Sequence, residues 1–408
     1  MRHAIPGLIV TDREHSVPLD HAEPDGPRLS VFTRELADPE GQDRPLLVFL
    51  EGGPGFEAPR PSRTASEPPW LERALADFRV LMLDQRGTGR SSPIGPRLPG
   101  SPSEQADYLA RFRADAIVAD AEFIRRELGV ERWSVLGQSF GGFCAMRYLS
   151  ASPEGLREVL FTGGVPPVKA SPDDVYRATF ARMRDRTQRF YERYPADRER
   201  VLGLLCLAER NPPRLPSGEP LHAARVRQLG HLLGMSDGPE RLHYLLELDP
   251  ASPAFLHDAE QATTFARNPI YAILHEASWA NGGVTAWSAQ RILDSRSDWP
   301  EEFLTGEHVF PWMFHHGALA PLHEAAELLA QRQWPALYDL DRLRRNEIPA
   351  AAVVYSEDPY VERSFSEQTA LLTPGLRLWL TSEYDHDGLR RDGERVLGRL
   401  LDMVRGRV

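Results

Sequence analysis

The chain has 408 residues, 41% hydrophobic and 26% charged, enough for one large α/β domain plus an insertion and ordinary for a globular protein. Its 48 Lys and Arg against 59 Asp and Glu leave a formal charge of −11, which argues against nucleic acid and anionic membrane surfaces and suits a cationic ligand. Two cysteines, Cys144 and Cys206, exclude a disulfide framework; with no basic-then-apolar N-terminus and no apolar run of roughly 18 residues, a soluble cytoplasmic protein is expected.

In chain order, segments near Gly7–Val10 and Leu29–Thr33 read as antiparallel strands leading into a sheet. Leu46–Leu50 and Val80–Leu83 are short apolar runs of the kind buried in parallel sheets. A helical pattern from Asp107 to Leu128 ends at Gly129, a candidate C-cap. Trp133–Leu136, a following helix and Glu158–Thr162 complete a βαβ series. Between about Val165 and Glu347 the grammar changes to Arg- and Leu-rich helical segments with proline joints. The β pattern returns at Ala350–Tyr355 and Leu376–Leu380, before a final helix from Gly388 to about Val404. The expected architecture is therefore an α/β fold, a mostly parallel sheet with helices on both faces. Residues 1–164 and 348–408 form its core, and 165–347 an inserted helical cap over the carboxyl ends of the strands.

Ser139 stands in Gly137-Gln138-Ser139-Phe140-Gly141, between a strand and a helix. That context makes it a nucleophile elbow, a tight turn that presents the hydroxyl above the sheet. A serine needs a base, and the base a carboxylate that holds its tautomer. Asp358 follows the strand Ala350–Tyr355 and His386 follows Leu376–Leu380, in the order Ser, acid, His that the fold requires. Asp358 is preferred as the acid over its neighbour Glu357. The oxyanion donors are assigned to the amides of Phe140 and of Gly53 in Glu51-Gly52-Gly53-Pro54-Gly55, with Gly52 as the alternative.

Gly52–Gly55, Asp84-Gln85-Arg86-Gly87-Thr88-Gly89-Arg90-Ser91 and the elbow together resemble the proline iminopeptidases of the α/β-hydrolase fold. Asn268–Glu276, Phe310–Phe314 and Glu383–Arg390 are similar to the longer, bacterial branch of that family. The resemblance implies release of an N-terminal proline from peptides through an acyl-enzyme, with no metal and no cofactor. It also makes Glu276, then Glu307, the candidate partners of the substrate ammonium. Glu51 departs from the His or Gln often found before this glycine loop, and either helps hold the ammonium or bonds within the loop. Proline's ring calls for an apolar slot, for which Phe140, Trp279, Trp312 and Phe314 are candidate walls.

Other motifs carry no chemistry. His275-Glu276-Ala277-Ser278-Trp279 lacks the second histidine of a zincin, His315-His316 has no ligand partner at useful spacing, and Gly87-Thr88-Gly89 is no phosphate loop. Asp84 and Arg86 are expected to brace the oxyanion loop by ion pairing. The reading is a serine exopeptidase. The alternatives are an esterase or amidase of the same fold with broader small-residue specificity, or a non-catalytic scaffold.

Overall fold

Alternation along the parallel strands decides the layering. In the computed structural model, which describes all 408 residues, Leu46, Val48 and Leu50 of β4 (Leu46–Leu50) face one side of the sheet and Leu47 and Phe49 the other. Val135 and Leu136 of β6 (Trp133–Gln138) divide in the same way, as do Ala352 and Val353 of β8 (Ala350–Tyr355). Strands buried on both faces need apolar residues at every position, and so they read as continuous runs rather than alternating ones.

Nine strands form the sheet in the order β1-β2-β3-β5-β4-β6-β7-β8-β9. β1 (Arg2–Ile5), β2 (Leu8–Pro18) and β3 (Arg28–Ala37) are antiparallel, and β3 pairs antiparallel with β5 (Arg79–Leu83). From β5 through β4, β6, β7 (Leu156–Thr162) and β8 to β9 (Leu376–Thr381) all pairs are parallel. One face is covered by the helices Ala114–Glu127 and Phe140–Ala151, the other by Gly393–Val404, whose Val396, Leu397, Leu400 and Leu401 pack toward the sheet. Between β7 and β8 the chain is helical, from Pro172–Arg193 to Leu340–Arg344, and its apolar faces join the core on the first side. No helix is long and apolar enough to cross a membrane.

Several expected elements differ in detail; among them, the final helix expected from Gly388 to about Val404 is two, Gly388–Arg391 and Gly393–Val404. The strands β2 and β3 extend well past the segments read from sequence, because their polar residues pair across a long hairpin, as Arg34 does with Asp12. The single helix expected over 107–128 is two, Pro102–Leu109 and Ala114–Glu127. The break lies at Arg113, whose buried guanidinium leaves the helical path to donate to Ala280 O and Pro335 O. Gly129, at φ +67°, closes the second helix.

Candidate active site

Strand β6 passes into the helix Phe140–Ala151 through one residue. Ser139 holds φ 52° and ψ −121°, a conformation a non-glycine residue keeps only under tertiary constraint. Its neighbours supply the space. A Cβ on Gly137 would lie 2.4 Å from Gly141 O, and one on Gly141 would lie 1.9 Å from Leu50 O. Only glycine lets the strand, the turn and the helix approach this closely.

The turn brings Ser139 to two residues more than 200 positions away. Its Oγ donates to His386 Nε2 at 2.8 Å, and His386 Nδ1 donates to Asp358 Oδ2 at 2.7 Å. Asp358 lies in the turn after β8, where Oδ1 accepts from the amides of Tyr360 and Val361 at 2.8 and 3.1 Å. His386 lies in the loop after β9, and its own N–H donates to Gly234 O at 3.1 Å. All three side chains are buried. Burial opposes charging of the His386 imidazole, but the Asp358 carboxylate against it wins, and its pKa is raised above the ordinary 6.5. Glu357 turns away to pair with Arg189 at 2.6 Å.

The loop after β4 approaches from the opposite side. Gly53 sits at φ +120°, and Gly52 N–H is already spent on Glu51 Oε1 at 2.8 Å. Phe140 N–H opens its helix, where no earlier turn supplies an acceptor. Asp84 braces this loop by ion pairing with Arg60, in the same connection after β4, but Arg86 does not. Arg86 pairs with Asp120, while Gln85 between them donates to Glu51 O at 2.8 Å.

A cavity of about 410 Å³ lies above Ser139 and His386, lined among others by Phe56, His231, Phe265, Tyr271, Glu307 and Tyr360. Tyr271 stacks on Phe265, with ring centroids 4.8 Å apart and an interplanar angle of 10°. Its hydroxyl donates to Glu307 Oε1. Glu307 Oε2 stands 3.7 Å from His275 Nε2, and His275 Nδ1 lies 3.2 Å from the Tyr176 hydroxyl. Burial alone would raise the Glu307 carboxyl, but His275, with His231 and His386 farther off, outweighs it and holds the pKa down at about 2. The cavity wall therefore carries a carboxylate that favours its ionised form beside His275.

Several sequence candidates are not brought to it. Glu276 shares a helix with Tyr271 and His275 but faces away; its Oε1 accepts from Ala289 N at 2.8 Å, its Oε2 has no partner, and burial raises its pKa. Trp279 packs against Phe143 at 4.8 Å, Trp312 sits edge-on to His222 at 4.5 Å, and Phe314 lies 5.7 Å from Trp287. None of these aromatics lines the cavity: Trp279 and Phe314 are buried in the core, and Trp312 is partly buried against it. Phe140 meets Phe143 at 6.2 Å and does not line the cavity. Glu51 is turned into its own loop and toward Arg390. Sequence reading missed Phe56, Phe265, Tyr271, His231 and Tyr360. The i, i+4 spacing of Tyr271 and His275 in one helix was the available signal. No three His, Cys, Asp or Glu side chains converge as metal ligands.

Residues 45–203 match the alpha/beta hydrolase fold family. The whole chain is similar to the proline iminopeptidase of Aeromonas sobria, 44% identical over 99% of both chains. It is also similar to the proline iminopeptidase aneH of Aspergillus aculeatus, 34% identical over all of this chain and 96% of that one. Among solved structures, a proline iminopeptidase of Mycobacterium smegmatis aligns over 97% of this chain and 98% of its own, with 16% identity and a TM-score of 0.48.

Proposed function

Because this chain belongs to the proline iminopeptidases of the α/β-hydrolase fold, we propose that Ser139, His386 and Asp358 release the first residue of peptides, preferably proline, through an acyl-enzyme. Ser139 Oγ attacks the carbonyl of the N-terminal residue as His386 Nε2 takes its proton. The imidazolium so formed is held by Asp358, 2.7 Å from Nδ1. The amides of Phe140 and Gly53 stabilise the oxyanion, and donors fixed in advance spend nothing on reorientation. His386 then gives its proton to the departing amine, leaving a prolyl ester on Ser139. Water, activated by the same histidine, hydrolyses that ester.

The observation that carries the reading is Glu307, a carboxylate only 11% exposed in the cavity that holds the Ser139–His386–Asp358 relay. An α-ammonium one residue's length from the scissile carbonyl finds its counter-charge there, and a chain continuing past that ammonium would have to displace it. Tyr271, Phe265 and Phe56 supply apolar faces for the pyrrolidine ring. A cytoplasmic setting suits the two free cysteines.

Trapping tests the chemistry. Rapid acid quench of a reaction with proline p-nitrophenyl ester is expected to leave a prolyl adduct on the peptide carrying Ser139. Ser139→Ala is expected to carry none. An adduct on another residue, or retained turnover in Ser139→Ala, would refute the assignment.

A further inference from the structure

Glu51 poses an electrostatic problem that the reaction does not explain. It is 6% exposed and directly precedes the two glycines of the oxyanion loop. Its Oε1 accepts the Gly52 N–H at 2.8 Å, which removes Gly52 as an oxyanion donor and leaves Gly53. Its backbone carbonyl is held by Gln85 Nε2 and packs against Gly141 at the start of the elbow helix. The side chain thus orients the loop, yet a carboxylate this near the oxyanion opposes the negative charge that must develop there. The compensating cation is Arg390. It follows the His386 loop, lines the same cavity as Ser139, and places Nη2 3.2 Å from Glu51 Oε1.

We propose that Arg390 is a positioning residue of the oxyanion hole: it neutralises Glu51, so that this side chain can hold the Gly52 amide, and with it Gly53, without opposing the oxyanion. The proposal rests on the assignment of Gly53 and Phe140 as oxyanion donors. It joins the two catalytic loops, since the residue that offsets Glu51 rides on the segment that carries His386. Arg390 is half exposed and hydrogen-bonds to none of Ser139, His386 and Asp358; its charge also opposes protonation of His386, and the Glu51→Gln background separates that direct effect from the one through Glu51. Because only the transition state carries the oxyanion charge, the loss must appear in kcat and spare KM.

A charge cycle tests it with proline p-nitroanilide as substrate. Arg390→Met is expected to lower kcat roughly tenfold with KM within about twofold, less than the loss of a whole oxyanion donor. Glu51→Gln keeps the acceptor for Gly52 and removes the charge, so its loss in kcat should be smaller than that of Arg390→Met. In the Glu51→Gln background, Arg390→Met should then cost about twofold or less. The affinity for proline aldehyde, whose hemiacetal oxygen takes the oxyanion position, should fall with kcat in Arg390→Met and recover in the double variant. Unchanged kcat in Arg390→Met, a loss confined to KM, or additive losses in the double variant would overturn the proposal. Those outcomes leave the peptidase reading intact. Failure of the wild-type enzyme to cleave the anilide would instead overturn that reading.

Discussion

Replacing Glu307 by glutamine removes one charge from the cavity while keeping an oxygen for the Tyr271 hydroxyl. Two unit charges about 4 Å apart at an effective dielectric near 20 interact by about 4 kcal/mol. Glu307 is 11% exposed, so solvent screens little of this, and the glutamine oxygen still accepts a neutral hydrogen bond worth about half of a charge-assisted one. The net loss is therefore about 2–3 kcal/mol, roughly 30- to 150-fold in kcat/KM. The assay compares proline p-nitrophenyl ester with tetrahydrofuran-2-carboxylic p-nitrophenyl ester, in which oxygen replaces the ring nitrogen and no cation is present. Glu307→Gln should lose the full factor on the first ester and no more than about threefold on the second. Equal losses on both esters would mean that Glu307 supports the fold of the cavity and does not bind the ammonium. The reasoning fails in that case.

Glu276→Gln should leave kcat/KM within about threefold, since burial already favours the neutral carboxyl and its Oε1 serves Ala289 N; a loss above tenfold on proline anilide would contradict this. The general base must be neutral, and its pKa is raised, so the acidic limb of kcat/KM should fall at a pH above 6.5 in the wild type. Asp358→Asn removes the charge that raises it, moving that limb to lower pH while kcat drops by about 10⁴; an unshifted limb would assign the ionisation elsewhere. Gly141→Ala should destabilise the enzyme by ~3 kcal/mol or more, measured by urea unfolding, because its Cβ meets the Leu50 carbonyl at 1.9 Å. A soluble variant with unchanged midpoint would show that the elbow can relax.

What was legible in the sequence was what backbone geometry dictates locally. The elbow needs Gly137 and Gly141 whatever surrounds it, and the strands β4 and β8, buried on both faces, are unbroken apolar runs. The positions of Asp358 and His386 at strand ends follow from the chain order, and the structure brings both within hydrogen-bonding reach of the relay. The cavity wall was harder because it depends on how helices rotate against the sheet. Tyr271 and His275 share one face of the helix Pro269–Trp279, and Glu276, about 100° further round, cannot join them. The resemblance ranks Glu276 above Glu307, whereas Glu307 lines the cavity and Glu276 faces away from it. Phe56 and Phe265 come from segments 209 positions apart and meet only through Tyr271, a pairing with no sequence period. Trp312 and Phe314 were chosen for ring size, but large aromatics in a helical block fill its core first.

The central claim is that the serine relay acts on a first residue with a free amino group, preferably proline. Steady-state kcat/KM for the p-nitroanilides of proline, alanine and leucine, alongside p-nitrophenyl acetate and with Ser139→Ala as control, measures it directly. Proline anilide is expected to be turned over fastest of the three anilides and faster than the acetate at matched concentration, with all activity lost in Ser139→Ala. Faster turnover of the acetate than of proline anilide, or cleavage that survives in Ser139→Ala, would contradict the account.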